Sequence, residues 1–402
     1  MEIKKIKANN LDQARELHIY CTSRQWTDKA ASKDELSFYT PDEILGVFED
    51  EKLVSMIRNY TFNQSVRGII KKMGGVSHVA TFPEYRLRGY VKDLTKAAFL
   101  DMKGKKQSVS MLHPFKENFY SSFGYVGTND NLLVKISLDG FSHYLGDVSK
   151  IEGEWEEKRV RATEVQDEFE AFKLELDLLQ HHGLVFLNDM SNEYWIEDHG
   201  GVIVVFIKRN NKIMAAAKYI KIGSGENGII FVPEMYWKSI EGRVMLFRYF
   251  AKHKDQFSHI ELRIPYGVNF FGWLCDTMRP FEVNINRNPW MVRIIDAVES
   301  ISGINVNLEE KIILELHDEY CQWNNGVYDL KAINNKLKMS ECRSEIKPHV
   351  RMDIKGLTSL LYGVYSIEEL EFKEWLILSD SKSGRILDEW FPKKLLYNPY
   401  YF

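Results

Sequence analysis

The chain has 402 residues, of which 45% are hydrophobic and 27% are charged, and its formal net charge is −4. A chain of this length exceeds one ordinary hydrophobic core and predicts two or three domains. The composition is typical of a globular protein and excludes the fibrous and disordered classes. The small net charge disfavours broad attraction to nucleic acid or to an anionic membrane, so neither is an expected partner.

Neither a membrane segment nor a disulfide framework is expected. The sequence contains no run of about 18 apolar residues, and its charged start does not resemble a signal peptide. The four cysteines, at positions 21, 275, 321 and 342, lie far apart and form no C-x-x-C pair. This spacing argues against disulfides and against a bound metal. We therefore expect a cytoplasmic protein without a metal ion.

The first 150 residues predict an α/β sandwich. Apolar and alternating runs predict strands at 1–8, 44–49, 53–62, 69–82, 108–112 and 132–136, and helices at 10–22, 90–102 and 115–123. Strands and helices in this order favour one three-layer core. Gly74 and Gly75 in the strand at 69–82 suggest a β-bulge or a close backbone approach. We assign residues 1–150 to a first domain.

Residues 151–286 repeat this order of elements. A helix at 164–179 precedes strands at 202–208, 213–220 and 229–233, a helix at 242–253 and a strand at 259–264. The repetition suggests an internal duplication. From residue 290 the pattern changes to a strand at 290–296, two strands between 311 and 331, and helices at 366–372 and 384–391. This pattern predicts an α+β third domain over residues 287–402, and hence a multidomain chain of α/β and α+β type.

The stretch V-A-T-F-P-E-Y-R-L-R-G-Y-V at 79–91 organises the first domain. A strand ends here, a loop with two arginines and one glycine follows, and a helix begins. Free N–H groups and the helix dipole favour an anion at such a helix start, and Gly89 lets a phosphate approach the backbone. We predict a phosphate-bearing cofactor at this turn, the alternative being a solvated basic loop.

The corresponding turn of the second copy, at 234–242, lacks these features. Gly242 is present, but no arginine pair precedes it, and an acidic residue stands where a phosphate would be disfavoured. We expect that the second copy has lost its ligand.

These residues resemble a known family. The 79–91 stretch looks like the acetyl-CoA loop of GNAT N-acetyltransferases, whose pattern is R/Q-x-x-G-x-G/A. The segment H-P-F-K-E-N-F-Y-S-S-F-G-Y at 113–125 resembles the Eis (enhanced intracellular survival) acetyltransferases, in which F-Y-x-x-F-G-Y closes the first domain. That family combines an active GNAT domain, a degenerate GNAT-like domain and a sterol-carrier-protein-like domain. The resemblance covers the full chain, with Val91 as a departure at the last small position of the loop.

The resemblance implies a cofactor site for acetyl-CoA. Three strand residues would bind the pantetheine through main-chain contacts, six loop residues would wrap the pyrophosphate, and two residues would contact the cofactor tail. In this order they are Val79, Ala80 and Thr81, then Leu87, Arg88, Gly89, Tyr90, Val91 and Lys92, then Phe115 and Lys116. Because backbone amides make the pyrophosphate contacts, we expect the Val91 departure to be tolerated.

Tyr120 and Phe402 are the expected catalytic residues. A tyrosine hydroxyl, with an ordinary pKa of about 10, suits protonation of a departing thiolate, and the resemblance gives Tyr120 that role. It could instead be a packed aromatic residue. The tail at 396–402 is too aromatic for a frayed end and should be buried. Burial raises the pKa of an α-carboxyl group from about 3.5, and the resemblance makes the Phe402 carboxylate the general base.

Other titratable residues are weaker candidates. His78 and His113 are rival bases, although a histidine on an apolar strand is more often structural. The carboxylates of Asp42, Glu43, Glu49 and Glu51 could line an entrance for a cationic substrate.

The sequence therefore predicts an acetyl-CoA-dependent N-acetyltransferase. What the resemblance implies is direct transfer to a small-molecule amine of aminoglycoside-like or polyamine-like type, by a homo-oligomer that is a homohexamer. No cysteine lies in the motifs, which disfavours an acyl-enzyme. The alternative is a non-catalytic acyl-CoA or lipid-binding protein that uses the C-terminal domain.

Overall fold

The computed structural model describes residues 2–21, 40–129, 131–146, 151–178, 181–186, 201–274, 281–286, 289–342 and 346–399. The chain divides into two compact units. The first contains the described residues of Met1–Thr128 and Trp290–Lys394, and the second those of Asn129–Pro289 and Leu395–Tyr401. No helix among the described residues is long and apolar enough to span a membrane.

The N-terminal part of the first unit alternates strands and helices. In chain order the elements are β1 (Glu2–Lys5), α1 (Leu11–Cys21), β2 (Ile44–Glu49), β3 (Lys52–Val66), β4 (Ile69–Thr81), α2 (Tyr90–Gly104), β5 (Val109–Leu112), α3 (Glu117–Ser121) and β6 (Val126–Gly127). Helix α2 forms because Leu94, Ala98 and Met102 recur at helical spacing, and all three are buried.

The second unit contains the next group of elements. They are β7 (Asn131–Ser137), β8 (Trp155–Arg161), α4 (Ala162–Leu174), β9 (Val185–Phe186), β10 (Ile203–Arg209), β11 (Lys212–Ile222), β12 (Gly225–Trp237), α5 (Ile240–Ala251), β13 (Phe257–Pro265) and β14 (Phe281–Asn286).

The remaining elements belong to the first unit. They are β15 (Met291–Ile294), α6 (Ala297–Ile301), β16 (Lys311–His317), β17 (Gly326–Ile333), β18 (Lys336–Glu341), β19 (Val350–Asp353), α7 (Ile354–Tyr362), α8 (Ile367–Phe372), β20 (Leu376–Leu378) and α9 (Ser381–Trp390). Strands β16 to β20 form a separate sheet in the order β18-β17-β16-β19-β20, and the predicted α+β character of this region is confirmed.

The two large sheets share one topology. Along the first sheet the order is β1-β2-β3-β4-β5-β15-β6, and along the second it is β8-β10-β11-β12-β13-β7-β14. Among the pairings along these two orders that the structure describes, β4 with β5 and β12 with β13 are parallel, and helices α2 and α5 make these crossovers. The first hairpin of each sheet turns on two residues with positive φ, Asp50 and Glu51 in one and Asn210 and Asn211 in the other. The second sheet thus repeats the topology of the first, as the order of elements in the sequence suggested, and the duplication stays an interpretation of this repeat.

Two strands lie in a different sheet from the one that the sequence suggested. Strand β7, predicted within the first domain, pairs with β13 and β14, and β15, predicted within the third, pairs with β5 and β6. Each strand occupies the same place in its sheet, so the two copies have exchanged one strand. Alternation in a sequence identifies a strand but not its partner, because either sheet offers a half-buried surface. The ranges 1–150, 151–286 and 287–402 therefore do not coincide with the two units.

Within the first unit, the tip of the β3–β4 hairpin contacts α7. Arg67 and Gly68 form the turn with φ angles of 48° and 85°, as a two-residue hairpin requires. The Arg67 guanidinium donates hydrogen bonds to the carbonyl oxygens of Leu360 and Leu361 at 2.6 and 2.7 Å. A cation at the C-terminal end of a helix satisfies carbonyls that lack intrahelical donors.

Candidate active site

Strands β4 and β5 separate at the point where the cofactor was predicted. Their parallel pairing runs from Met73 and Val109 to Val76 and Leu112. Strand β5 ends there, whereas β4 continues to Thr81 with β3 as its partner on the other side. Among the described residues, no strand covers this edge of β4 beyond Val76. An uncovered strand edge can receive an extended ligand through main-chain hydrogen bonds.

A β-bulge lies at this opening. Ser77 pairs with Arg58 and Ala80 with Met56, so that His78 and Val79 together face one residue of β3. His78 has a φ of 50°, which is uncommon for a non-glycine residue. Bulges and positive φ angles concentrate at functional sites because they redirect the chain locally.

The glycines of β4 are not the bulge. Gly74 pairs regularly with Thr61, and a Cβ atom at Gly74 would lie 2.8 Å from Asn59 Oδ1 and 2.8 Å from the Met102 side chain. The atoms that approach Gly74 most closely belong to side chains, so side-chain packing, which was not predicted, accounts for this glycine.

The loop after β4 leads to the start of α2. Gly89 is the N-cap of α2 with a φ of 84°, and no other atom lies within 4 Å of a Cβ built on it. The first N–H groups of a helix have no intrahelical acceptor, and the first backbone bond of this helix joins the Asp93 N–H to the Gly89 carbonyl. The amides of Tyr90, Val91 and Lys92 therefore face an open position that suits an anion.

Two arginines hold the loop in shape. Arg86 Nε donates to the carbonyl oxygen of Thr81 at 3.1 Å, and Arg88 Nη2 donates to that of Glu84 at 3.0 Å. The Arg88 guanidinium also contacts Glu49 Oε2 at 3.4 Å, and Glu49 accepts a hydrogen bond from the Tyr90 hydroxyl. Leu87 lies between the two arginines in sequence, has a φ of 64° and is fully exposed. The arginines thus order the loop, and its backbone remains the element that is predicted to bind an anion.

Two of the carboxylates predicted to line a substrate entrance form ion pairs with arginines. Glu49 forms an ion pair with Arg88 in the loop before α2, and Glu43 contacts Arg58 at 2.9 Å. Glu51 lies in the β2–β3 turn. Long-range pairs of this kind leave no mark in the sequence, and the entrance role of these carboxylates stays a prediction.

Tyr120 packs beside the opening. It is 6% exposed and lies on α3, in the same apolar cluster as Val76 and Leu112, with Val79 packed against that cluster. Its ring is 5.4 Å from that of Phe115 and 5.1 Å from that of Phe119. Burial, and secondarily Tyr125, raise the pKa of Tyr120 well above its ordinary value.

The Tyr120 hydroxyl forms no hydrogen bond with any residue that the structure describes. A protonated hydroxyl without a protein acceptor suits a donor to substrate. Phe115 and Lys116, predicted to contact the cofactor tail, are both exposed, and Phe115 is 72% exposed.

The rival histidines differ in their surroundings. The His78 ring lies 4.0 Å from that of His18 on α1, and its Nδ1 is 2.9 Å from Ser77 Oγ. His113 packs edge-on against Trp290 at 5.5 Å. Sequence reasoning missed His18 and Trp290, because neither belongs to a motif and both contacts join distant parts of the chain.

The predicted base, Phe402, lies outside the described residues. The tail before it is described as far as Pro399. Residues 396–399 are all buried within the second unit, which confirms the predicted burial for this part of the tail.

The turn of the second copy differs from that of the first. Residues 234–237, predicted as part of a turn, continue β12, and only Lys238 and Ser239 separate it from α5. Ser239 Oγ accepts the N–H of Gly242 at 3.1 Å. A Cβ at Gly242 would lie 2.7 Å from the Met214 carbonyl oxygen, so this glycine permits close packing and does not face a phosphate.

Comparison with known proteins agrees with this geometry. The model of the acetyltransferase (GNAT) domain matches residues 2–127. The chain carries a GNAT acetyltransferase domain. A sterol carrier protein domain matches residues 295–397. No curated protein sequence matches the chain.

Solved structures share the whole fold. A GCN5-related N-acetyltransferase from Anabaena variabilis superposes with a TM-score of 0.85 at 16% identity, covering 100% of both chains. A probable N-acyltransferase from Enterococcus faecalis gives 0.82 at 19% identity, over 100% of this chain and 99% of the other. Eis1 from Mycobacterium abscessus gives 0.79 at 16% identity over 100% of both. The predicted domain content, a GNAT domain and a sterol-carrier-protein-like domain, is confirmed together with the fold, and the GNAT domain supports the predicted acyltransferase class.

Proposed function

We propose that the protein is an acetyl-CoA-dependent N-acetyltransferase that acetylates amines of aminoglycoside-like or polyamine-like molecules by direct transfer. The observation that carries the proposal is the opening between β4 and β5, which leads into the Gly89 loop at the start of α2. It combines an uncovered strand edge with free helix amides, as a substrate with an extended arm and a pyrophosphate requires.

The residues fit acetyl-CoA in order along the chain. Val79, Ala80 and Thr81 would offer main-chain groups to the pantetheine arm. The amides from Leu87 to Lys92 would hold the pyrophosphate, since the space beside Gly89 is open. Phe115 and Lys116 are exposed where the cofactor tail would contact them. Val91 does not alter this assignment, because its backbone amide makes the contact.

The proposed acid is Tyr120. When the substrate amine attacks the thioester carbonyl, the C–S bond breaks and the sulfur leaves as a thiolate. The raised pKa keeps the Tyr120 hydroxyl protonated at neutral pH, so a proton is available for the sulfur. Backbone N–H groups at the end of β4 would stabilise the charge on the carbonyl oxygen.

The proposed base is the α-carboxylate of Phe402, which would accept the proton of the attacking amine. Burial of residues 396–399 supports this role, because an anchored tail can hold its end in one place. The homohexamer and the cytoplasmic location remain predictions.

A thiol-release assay with acetyl-CoA tests the proposal, with kanamycin and spermidine as amines. The informative variant adds one glycine after Phe402, and its matched control adds one glycine at the N-terminus. The first should lose most turnover, and the second should retain it. Full turnover of the C-terminally extended chain would rule out the terminal base.

A second candidate is a non-catalytic acyl-CoA or lipid-binding protein, which the sterol carrier protein domain at 295–397 favours. If the wild type binds coenzyme A but releases none from acetyl-CoA with either amine, this candidate replaces the enzyme.

A further inference from the structure

We propose that Lys92 and Lys96 of α2 bind the 3′-phosphate of the cofactor's adenosine, and that Tyr320 is a positioning residue that holds their two ammonium groups beside each other. The inference deepens the proposed function and rests on it, because the ligand is the far end of acetyl-CoA. It makes the region that matches the sterol carrier protein domain part of the cofactor site, and all three residues lie in the first unit.

The two lysines follow directly on the backbone amides assigned to the pyrophosphate. Helix α2 begins at Tyr90, so Lys92 lies in its first turn and Lys96 four residues later on the same face. Both side chains are exposed. Like charges at this spacing destabilise a helix slightly. Within the described part of the chain neither lysine forms an ion pair, with Glu319 or with any other acidic residue, so an anion between them would remove this repulsion.

Both ammonium groups lie over one aromatic ring. Lys92 Nζ is 5.8 Å from the centroid of the Tyr320 ring, and Lys96 Nζ is 5.9 Å from it. An aromatic face attracts a cation at distances up to about 6 Å. Because the two lysines share this ring, their charges converge on one position. A terminal phosphate group carries a charge of about −2 at neutral pH, which two lysines match.

Tyr320 is fixed by contacts to the rest of the first unit. Its backbone N–H donates to Asp318 Oδ1 at 3.0 Å, and its half-buried ring packs edge-on against Phe123 at 5.2 Å. The same segment meets α2 a second time, where Lys103 Nζ lies over the ring of Trp323 at 5.9 Å. The ring therefore provides a fixed support for the two flexible lysine side chains.

A row of aromatic rings connects Tyr320 with Phe115, which is predicted to contact the cofactor tail. Phe123, next to Tyr320, lies 5.2 Å from Phe119, and Phe119 lies 5.4 Å from Phe115. Phe115 is exposed, and Phe119 and Tyr320 are partly exposed. Nucleobases stack on aromatic side chains. The row thus offers the adenine ring a surface that leads to the two lysines.

The experiment compares coenzyme A with dephospho-coenzyme A, which lacks only the 3′-phosphate. Isothermal titration calorimetry measures Kd for both ligands, and thiol release measures KM for their acetyl esters. The variants are Lys92→Met, Lys96→Met and Tyr320→Leu. Lys105→Met is the control for charge, because it removes a lysine at the other end of α2 that pairs with Asp101. Tyr320→Phe is the control for the ring, and thermal unfolding is followed throughout.

Wild type should bind coenzyme A about tenfold more tightly than dephospho-coenzyme A. Each lysine variant should weaken binding of coenzyme A by about fivefold and leave Kd for dephospho-coenzyme A unchanged. Tyr320→Leu should act in the same direction by about threefold, whereas Tyr320→Phe and Lys105→Met should match wild type. A merely structural role of the Tyr320 ring would weaken both ligands alike.

Equal Kd values of wild type for the two ligands would overturn the inference. Discrimination that survives in both lysine variants would overturn it too, as would equal weakening of both ligands, which would assign the lysines to the pyrophosphate. The titration does not depend on turnover. If wild type discriminates between the ligands as expected but releases no thiol from acetyl-CoA, the enzyme proposal fails and the phosphate site stands. If wild type turns over both acetyl esters with the same KM, the enzyme proposal stands and the phosphate site fails.

Discussion

The guanidinium of Arg293 contacts the carboxylate of Asp318 at 2.7 Å, with both side chains fully buried. Arg293 lies on the exchanged strand β15, and it also donates to the carbonyl oxygens of Phe123 and Ile294. Asp318 in turn accepts the backbone N–H groups of Tyr320 and Cys321 at 3.0 Å. The pair thus links the N-terminal GNAT sheet to the C-terminal region inside the first unit.

Asp318→Asn should strongly destabilise the first unit. Removing one partner of a buried ion pair leaves the other charge uncompensated, at a cost of about 3–5 kcal/mol in free energy of unfolding. The apparent Tm should fall by on the order of 10 °C. The control is Lys382→Met, which breaks the more exposed pair with Glu310 and should cost less than about 1 kcal/mol. Similar Tm values for the two variants would contradict the structural role of the Arg293 pair.

Gly89→Val should weaken acetyl-CoA binding. A valine strains the backbone at a φ of 84°, and its side chain would enter the open space assigned to the pyrophosphate. We expect KM for acetyl-CoA to rise by at least about tenfold, which corresponds to about 1.4 kcal/mol, as measured by steady-state kinetics. Gly104→Ala, at the other end of α2 and also in open space, is the control and should behave as wild type. An unchanged KM in Gly89→Val would exclude this loop as the pyrophosphate site.

Each chain should bind one coenzyme A. Tyr397 bonds to Arg263 where β12 and β13 cease to pair, and Ser239 Oγ accepts the Gly242 N–H at the start of α5, so we expect the second copy not to bind the cofactor. Isothermal titration calorimetry should give a stoichiometry of one per chain, and Gly89→Val should reduce the heat of that single site. Ser239→Ala serves as the control and should leave the stoichiometry unchanged. Two sites per chain would show that the second copy still binds the cofactor.

The order of helices and strands along the chain was predictable, whereas the pairing of the strands in the sheets was not. Periodic apolar residues such as Leu94, Ala98 and Met102 specify α2 locally, and the helix begins at Tyr90 as predicted. The exchange of β7 and β15 depends on which sheet each strand meets, and this information lies outside either strand.

At the candidate site, too, local features were predictable from the sequence and contacts between distant segments were not. The Gly89 loop follows from a local motif, since the glycine, the arginines and the helix start are adjacent in sequence. The bulge at His78 and Val79 contains no glycine, and the contact of His78 with His18 joins two distant segments. Neither feature has a local pattern from which it could be derived.

Tyr120→Phe should lower kcat and leave binding intact. It removes the hydroxyl and retains the ring packed against Phe115 and Phe119, so KM for acetyl-CoA should not change. Loss of a general acid lowers kcat by about 10²–10⁴. Steady-state kinetics of thiol release measures this change in kcat. The control is Tyr20→Phe, because the Tyr20 ring is 61% exposed. A kcat equal to that of wild type would assign Tyr120 to packing alone.

The same variant should change the alkaline stability of the protein. Burial raises the pKa of folded Tyr120, whereas the unfolded tyrosine titrates near pH 10. Below about pH 10 both states keep the proton, and the contribution of this group to stability is fully present. As the pH rises further, the unfolded chain releases the proton while the folded chain retains it, so unfolding becomes more favourable.

Between pH 9 and pH 11 the Tm of wild type should therefore fall more steeply than that of Tyr120→Phe. These two pH values lie on either side of the ordinary tyrosine pKa of about 10. Thermal unfolding at both pH values measures the difference, and Tyr20→Phe should follow the wild type, because the Tyr20 side chain is already exposed to solvent. Parallel curves for wild type and Tyr120→Phe would mean that the hydroxyl titrates alike in both states, and would contradict the rise in the pKa of Tyr120 on burial.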